Sequence, residues 1–208
     1  MFNEKLQILN VDKPLSVAND THQLNKIQAF RAREYKCLYP EVTNFHNDVY
    51  DEHACVLFTR DHHGEVNSTG RLAFDGPHGL PDDSLFESLI RHRRESGAKI
   101  AELGRLIISD SAGGLLRNYY KAFYEIAIQQ KIDSIIIVMR KKDIPFHSRM
   151  FGVFPLSLDL GVTFGSQHIY TCMEWRLSST TQTFFEWSGI ESNSQFSGGA
   201  GKKEISNG

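Results

Sequence analysis

Hydrophobic residues in this chain form short continuous runs, separated by segments in which they recur at helical spacing. The clearest run spans residues 98–109, which is rich in Ile and Leu and about as long as one long strand. Runs of this kind are typical of buried strands. Two charged residues, Glu102 and Arg105, interrupt its interior. We therefore predict the central strand of a sheet here, with two charges in an unusual place.

The same patterns predict the remaining elements. Leu24, Ile27 and Phe30 recur at helical spacing after N-cap candidates at 19–21, which predicts a helix over 21–38. The others, in chain order, are an opening strand at 6–17, a hairpin of strands 54–58 and 66–74, a helix after 81–83, a helix over 115–131, a strand over 135–139, a short helix from Pro145, an irregular or extended arm over 154–164 and a last strand over 168–177. This order predicts an α/β (α+β) fold with one central mixed sheet.

The two charges in the central strand are three residues apart. A regular strand would place Glu102 and Arg105 on opposite faces of the sheet. A β-bulge would bring both onto one face and free a backbone N–H that can point at a ligand carbonyl. Gly104 lies between them and is the predicted bulge residue. The alternative is a solvated ion pair on an edge strand.

Length and composition indicate one domain. The 208 residues, of which 40% are hydrophobic and 11% aromatic, suffice for a single core, which we place in residues 1–190. Residues 191–208 are mostly polar and are predicted to form a flexible tail. Just before it, Phe184, Phe185 and Trp187 are expected to pack on the body or on a partner.

Charge and segment composition argue against several classes of protein. The net charge of −2 and pI near 6.5 do not indicate a general nucleic-acid binder. No apolar run approaches the ~18 residues of a transmembrane helix, and the N-terminus shows no signal-peptide pattern. The three cysteines are widely separated, which favours a reducing cytoplasm over a disulfide framework. No His or Cys spacing predicts a metal site.

Five motifs occur in an order known from one group of enzymes. They are Phe30-Arg31-Ala32-Arg33, Asp48-Val49-Tyr50-Asp51, Ser68-Thr69-Gly70-Arg71-Leu72, Leu80-Pro81 and Glu102-Leu103-Gly104-Arg105-Leu106. This ordered set, over about residues 25–176, resembles the autoinducer-synthase branch of the GNAT acyltransferase superfamily. That branch holds the acyl-homoserine-lactone synthases and the long-chain N-acyl amino acid synthases. The resemblance implies a twisted, mostly antiparallel sheet flanked by helices, and an N-acyltransferase activity.

The resemblance also implies functional positions, which shape the amine-substrate pocket and order the N-terminal lobe over it. The catalytic pair matches Glu102 and Arg105. The substrate-binding positions match Arg31, with Arg33 as the neighbouring candidate, Asp48, Asp51 and Arg71.

Two departures from the family pattern narrow the expectation. The segment between Arg33 and Asp48 is short and has no tryptophan, which lactone synthases usually carry there. This favours the N-acyl amino acid branch. The superfamily's phosphate loop is reduced to Gly113-Gly114, although the following helix N-terminus can still hold a phosphate. As the acyl donor, a pantetheine arm on a carrier protein is therefore favoured over coenzyme A, which would need the complete phosphate loop for binding.

The implied reaction is attack of an α-amino group on a thioester carbonyl. Glu102 is expected to take the amine proton, directly or through a water, or alternatively to orient Arg105 or Arg71. The bulge N–H would stabilise the oxyanion. The carboxylate of an amino acid acceptor is also expected to bind an arginine through two hydrogen bonds. Arg71 and Arg105 are favoured over Arg31 and Arg33, because the strands restrict their conformations. Asp48 and Asp51 are expected to clamp these arginines rather than to bind the amine.

The acyl and pantetheine chains are expected along the end of the central strand and the loop after it. The candidates are Leu106, Ile107, Ile108, Gly113, Gly114 and Phe151. The aromatic helix over 115–131 offers a further wall for an acyl chain, although ordinary core packing is favoured for most of its residues.

No permanently bound cofactor is expected, and the donor is acyl carrier protein (ACP) or coenzyme A carrying a fatty acyl thioester. Basic clusters at Arg91–Arg94 and Arg140–Lys142 fit an acidic partner such as ACP, or are solvated helix ends. The leading prediction is an N-acyltransferase that makes N-acyl amino acids. One alternative is an acyl-homoserine-lactone synthase that uses S-adenosylmethionine, and another is a non-catalytic acyl- or ACP-binding module.

Overall fold

The computed structural model describes residues 15–38, 48–161 and 167–191. Within these residues the chain forms one seven-stranded sheet and five α-helices. The strands are β1 (Ser16–Val17), β2 (Ala54–Arg60), β3 (Val66–Phe74), β4 (Ile100–Ile108), β5 (Ser134–Arg140), β6 (Phe154–Ser157) and β7 (Tyr170–Arg176). The helices are α1 (Thr21–Leu38), α2 (Asp83–Glu95), α3 (Leu116–Gln129), α4 (Ile144–Phe151) and α5 (Gln182–Ser188).

The strands lie in the order β1-β2-β3-β4-β5-β7-β6. Among the described strands, β4 and β5 form the one parallel pair, and α3 connects them. All the other neighbours run antiparallel. This arrangement confirms the predicted mixed, mostly antiparallel sheet, and β4, the run at 98–109, is its central strand.

Helices cover both faces of the sheet because successive side chains of each strand point in opposite directions. On one face, Ile27 of α1 packs against β2 and Phe86 of α2 packs against β4 and β5. On the other face, α3, α4 and α5 enclose the larger core. Its centre is aromatic, with Phe151, Trp175 and Phe184 in mutual ring contact.

The predicted bulge is present in β4, one residue later than expected. Arg71 of β3 pairs regularly with Gly104, but the next pair is Thr69 with Ile107, so Arg105 and Leu106 together face Gly70. Arg105 has a φ of 53°, in the left-handed region that non-glycine residues rarely adopt. The bulge residue is therefore Arg105 and not Gly104. The left-handed backbone redirects its side chain.

The bulge coincides with a gap in the sheet. Strands β4 and β5 are paired from Ile100–Ser134 as far as Leu103–Ile137, and no pairing between them follows. Beyond this point β5 continues to pair with β7, while β4 continues to pair with β3. A slot therefore opens between the carboxyl halves of two central strands, next to the bulge.

Two elements near the C-terminus differ from the prediction. Residues 154–157, expected within an irregular or extended arm, form β6 because they pair with β7 at the edge of the sheet. Residues 182–188 form a helix that the sequence pattern did not reveal, and Thr181 caps it by accepting the Phe184 N–H. Phe184 is fully buried, which confirms that this segment packs on the body.

Some predictions concern residues outside the described ranges. Most of the expected opening strand at 6–17 and nearly all of the expected tail at 191–208 lie there, so the division into domain and tail stays a prediction. Among the described residues, no helix is both long and apolar enough to cross a membrane. Within the same ranges, no three potential ligand side chains converge as a metal ion would require.

Candidate active site

Two arginines and two aspartates form a buried clamp beside the centre of the sheet. Arg31 of α1 donates from Nη1 to both carboxylate oxygens of Asp51, at 2.9 and 2.7 Å, and from Nη2 to Thr69 Oγ1 at 3.3 Å. Arg71 of β3 reaches Asp51 at 3.3 Å and Asp48 at 2.5 Å. Both arginines are almost fully buried, so losing one partner would leave an uncompensated charge. These four residues act as a fixed scaffold.

Arg105 joins the clamp from the bulge. Its Nε donates to Asp48 Oδ2 at 2.9 Å, and its guanidinium lies over Tyr35, 5.6 Å from the ring centroid. Burial raises the pKa of Asp48, but the charges of Arg71 and Arg105 outweigh burial and hold that pKa below its usual value. The Arg105 side chain is 37% exposed, against 2% for Arg71. Of the clamp arginines, Arg105 is therefore the one a substrate can reach.

Glu102 lies on the same sheet face as Arg71, because Ala73 pairs with Glu102 and Arg71 pairs with Gly104. It is 2% exposed, and its Oε2 accepts the backbone N–H of Asp82 at 2.9 Å. Within the described ranges, no arginine or lysine forms an ion pair with it. Burial, reinforced by the charge of Asp82, raises the pKa of Glu102 to about 8. Such a carboxylate can accept a proton from an ammonium group near neutral pH.

Asp82 is a site residue that motif reasoning did not single out. It occupies the N-cap position of α2, yet its side chain makes no capping hydrogen bond. Its carboxyl group instead lies within hydrogen-bonding reach of Glu102. Burial raises the pKa of Asp82 even though Arg105 and Arg71 oppose the effect. The sequence signal was the pair Asp82-Asp83, which predicts a helix start but not which acid turns inward.

Comparison with known protein families identifies the family of this chain. The family profile of the N-acyl amino acid synthase FeeM matches residues 27–158, which is more than half of the chain and includes every clamp residue, Asp82 and Glu102. This chain belongs to the FeeM family. It is therefore an acyltransferase of the N-acyl amino acid synthase type, as the motif order predicted.

Solved structures show that the FeeM-family chain has the GNAT-like fold. FeeM, an N-acyl amino acid synthase from uncultured soil microbes, is 16% identical with a TM-score of 0.66, over 80% of this chain and 97% of FeeM. The acyl-homoserine-lactone synthase LasI is 19% identical with a TM-score of 0.61, over 85% and 95%. BjaI, a coenzyme A-dependent acyl-homoserine-lactone synthase, is 18% identical with a TM-score of 0.52, over 86% and 89%. No curated protein matches the sequence significantly.

Two residues predicted for the site of this FeeM-family protein lie apart from the clamp. The Arg33 side chain is 65% exposed and pairs with its neighbour Glu34 at 3.1 Å. Phe151 is fully buried in the aromatic core, stacked 4.4 Å from Tyr120 and 5.2 Å from Trp175 by ring centroids. Arg33 is therefore a surface residue and Phe151 a core residue in this structure.

The remaining predicted residues lie in the second half of β4 and in the segment that connects it to α3. Leu106 and Ile108 are half-buried against the larger core, whereas Ile107 packs towards α1. Gly113 and Gly114 precede α3, whose start lies at the carboxyl end of β4. Leu106, Ile107 and Ile108 thus follow the bulge in β4, and the two glycines lie in the connection to α3, so their role stays a prediction.

A cavity of about 770 Å³ borders the clamp on another side. It is lined by Asp48, Asp51 and Cys55, together with β1 and the first turns of α1. Neither Glu102 nor Arg105 lines it. Its size alone does not mark the reactive centre.

Proposed function

We propose that this protein transfers a fatty acyl group from the thioester of an acyl carrier protein to the α-amino group of an amino acid, giving an N-acyl amino acid. The observation that supports this most strongly is Glu102, a buried carboxyl without a cationic partner in the described chain, beside a β-bulge and an open slot. A structural carboxylate at this depth would be paired, because an unpaired buried charge is costly.

The donor thioester fits the slot between β4 and β5. An extended pantetheine arm there can hydrogen bond to backbone groups that the diverging strands leave without ladder partners. The residue added by the bulge breaks the β3–β4 ladder, which frees a backbone donor for the thioester oxygen. The N-terminus of α3, after Gly113-Gly114, lies at the same edge and suits the phosphate of the arm.

The reaction follows from these placements. Glu102 takes a proton from the substrate ammonium group, and the neutral amine attacks the thioester carbonyl. The bulge N–H stabilises the oxyanion of the tetrahedral intermediate. The intermediate collapses by forming the amide and releasing the pantetheine thiolate, and the second proton, lost from the nitrogen, protonates that thiolate so that a free thiol leaves. No covalent acyl-enzyme is needed.

Arg105 is the proposed ligand of the acceptor's carboxylate. Its Nε donates a hydrogen bond to Asp48, and one face of its guanidinium lies over the Tyr35 ring. These two contacts fix the plane of the guanidinium. The two terminal nitrogens make no hydrogen bond to the described residues, so they can form a bidentate fork. Arg31 is already occupied by Asp51, and Arg71 by Asp51 and Asp48, so Arg71 holds Asp48 in place.

The carrier protein is proposed to dock at the carboxyl edge of β4 and β5. Lys141 and Lys142 follow β5 there and are exposed. The other basic cluster, at Arg91–Arg94, lies at the opposite end of β4. It is largely neutralised internally, because Arg93 pairs with Glu174, and Arg94 pairs with Asp75 and Asp83. We therefore assign ACP recognition to the cluster Arg140–Lys142.

The test is mass spectrometry of lipid extracts from bacteria that express the native protein or Glu102→Gln. N-acyl amino acids are expected only with the native protein, and their masses give acyl length and amine. The matched control is Glu87→Gln, which removes an exposed carboxylate on α2 and should leave the products unchanged. Release of methylthioadenosine with acyl-homoserine lactones would contradict the proposal in favour of the lactone synthase. Bound fatty acid without product would favour the binding module.

The donor is tested separately with purified acyl-ACP and acyl-CoA. Reversing both exposed charges, Lys141→Glu with Lys142→Glu, should raise KM for acyl-ACP about tenfold and KM for acyl-CoA clearly less, because ACP presents an extended acidic surface whereas coenzyme A presents only its own phosphates. Equal effects on both donors would contradict docking of ACP at this edge.

A further inference from the structure

Asp82 contacts Glu102 through both its backbone and its side chain, and it also lies in the field of Arg105 and Arg71. An N-cap aspartate ordinarily accepts a hydrogen bond from the first turn of its own helix. Asp82 gives up that bond, and its carboxyl group turns towards Glu102 while its backbone N–H donates to Glu102 Oε2 at 2.9 Å. The same residue thus holds the Glu102 carboxylate through its backbone and faces it with its side chain.

The other charged and titratable groups around Glu102 come from four elements. They are Arg71 on β3, Arg105 on β4, Asp48 at the turn before β2, and Cys172 on β7. Both arginines form ion pairs with Asp48. The negative charge of Asp48 therefore offsets part of their electrostatic attraction for Glu102. Asp82 is the acid that directly faces Glu102.

We propose that Asp82 is a positioning residue for Glu102: the two carboxyl groups share one proton, and the charge of Asp82 keeps the Glu102 carboxylate basic enough to deprotonate the amine. This proposal rests on the acyl-transfer function proposed above. Two carboxylates in contact cannot both ionise readily, so one of them retains a proton at neutral pH. When Glu102 loses that proton, repulsion by Asp82 makes it a stronger base. The proton taken from the ammonium group then returns to the pair.

The direct test follows the Glu102 carboxyl carbon by NMR in protein labelled with 13C-glutamate, without substrate. The resonance is assigned by its loss in Glu102→Gln. In Asp82→Asn, which keeps the backbone N–H, the titration midpoint of Glu102 should fall by about one pH unit because the repelling charge is gone. Asp83→Asn is the matched control, because Asp83 is the adjacent acid and binds Arg94 instead. In Asp83→Asn, the titration midpoint of Glu102 should equal its midpoint in the native protein.

The kinetic test is the pH dependence of kcat/KM with one amine and one donor for all variants. The acidic limb should move to lower pH by the same amount in Asp82→Asn, and the rate at high pH should fall about threefold because the base is weaker and a Brønsted coefficient lies below one. A residue that only stabilises the fold would lower the rate without moving the limb. The amine's own titration is common to all variants and cancels in the comparison.

The outcomes separate the two proposals. A Glu102 midpoint that is unchanged in Asp82→Asn overturns the shared proton. A shifted midpoint with an unshifted kinetic limb overturns the role of Asp82 in catalysis. If the native protein acylates no amine, the proposed function fails, and the NMR titration still decides whether Asp82 and Glu102 share a proton.

Discussion

Two buried glutamates lie in one row across the same face of the sheet and have opposite surroundings. Glu102 on β4 pairs with Ile136 on β5, and Ile136 pairs with Glu174 on β7. Side chains opposite each other in a row point to the same face. Both glutamates are buried, at 2% and 1% exposure. Depth in the protein therefore does not distinguish them.

Their partners do. Glu174 accepts a hydrogen bond from Ser134 Oγ at 2.6 Å and is bound by Arg93 at 3.2 Å and Arg176 at 3.3 Å. Glu102 receives one backbone N–H and faces a second acid. The first arrangement surrounds the carboxylate with hydrogen-bond donors and positive charge, whereas in the second, burial and the charge of Asp82 raise the pKa of Glu102. Glu174 thus ties β7 to α2, whereas Glu102 is free to exchange a proton.

The largest expected effect is the loss of catalytic activity on substitution of Glu102. Glu102→Gln should lower kcat/KM by about 10²- to 10⁴-fold, since the amide cannot accept the amine proton. The circular dichroism spectrum and melting temperature should show an intact fold. Activity within tenfold of the native value would mean that Glu102 is a structural partner like Glu174, and the contrast would fail.

The reciprocal substitution should act on stability. Glu174→Gln removes the charge that holds Arg93 and Arg176, and we expect the free energy of unfolding to fall by about 1–3 kcal/mol. The value is below that for a fully buried pair because both arginines are partly exposed. Denaturant unfolding measures it, and kcat/KM per folded molecule should stay within about threefold. A selective loss of activity would contradict a purely structural role.

The pH dependence of stability sharpens the contrast. The pKa of Glu102 is about 8 in the folded protein and near 4.5 when the chain is unfolded. Folding therefore favours the protonated form, and this stabilisation is complete below about pH 4.5 and is lost as pH rises through 8. The melting temperature of Glu102→Gln minus that of the native protein should grow by about 8–15 °C from pH 5 to pH 9, which corresponds to about 4 kcal/mol. A constant difference would contradict the raised pKa.

The smallest expected effect tests whether the two glutamates are independent. They are separated by two strand spacings, about 10 Å, with Ile136 between them. The unfolding free energy lost in the double variant, Glu102→Gln with Glu174→Gln, should equal the sum of the single losses within about 0.5 kcal/mol. A coupling above 1 kcal/mol would show one shared network.

The sequence predicted the elements whose pattern is strong and local. The helix over 21–38 and the central strand followed from hydrophobic spacing, and the bulge followed from two charges three residues apart. The strand β6 was missed because its pairing with β7 defines it, and not an alternation of its own residues. Helix α5 was missed because it is only seven residues long in a polar segment.

What the sequence alone determined is thus the fold and the family, and it singled out Arg31, Asp48, Asp51, Arg71, Glu102 and Arg105 as residues whose site role stays a prediction. Hydrophobic periodicity and motif order are properties of neighbouring residues, so they can be read along the chain. The tertiary structure alone decided which of two adjacent acids, Asp82 or Asp83, faces Glu102, and that Glu174 is neutralised while Glu102 is not. These choices depend on charges brought together across distant strands, because the basicity of a buried carboxyl is set by its partners in space.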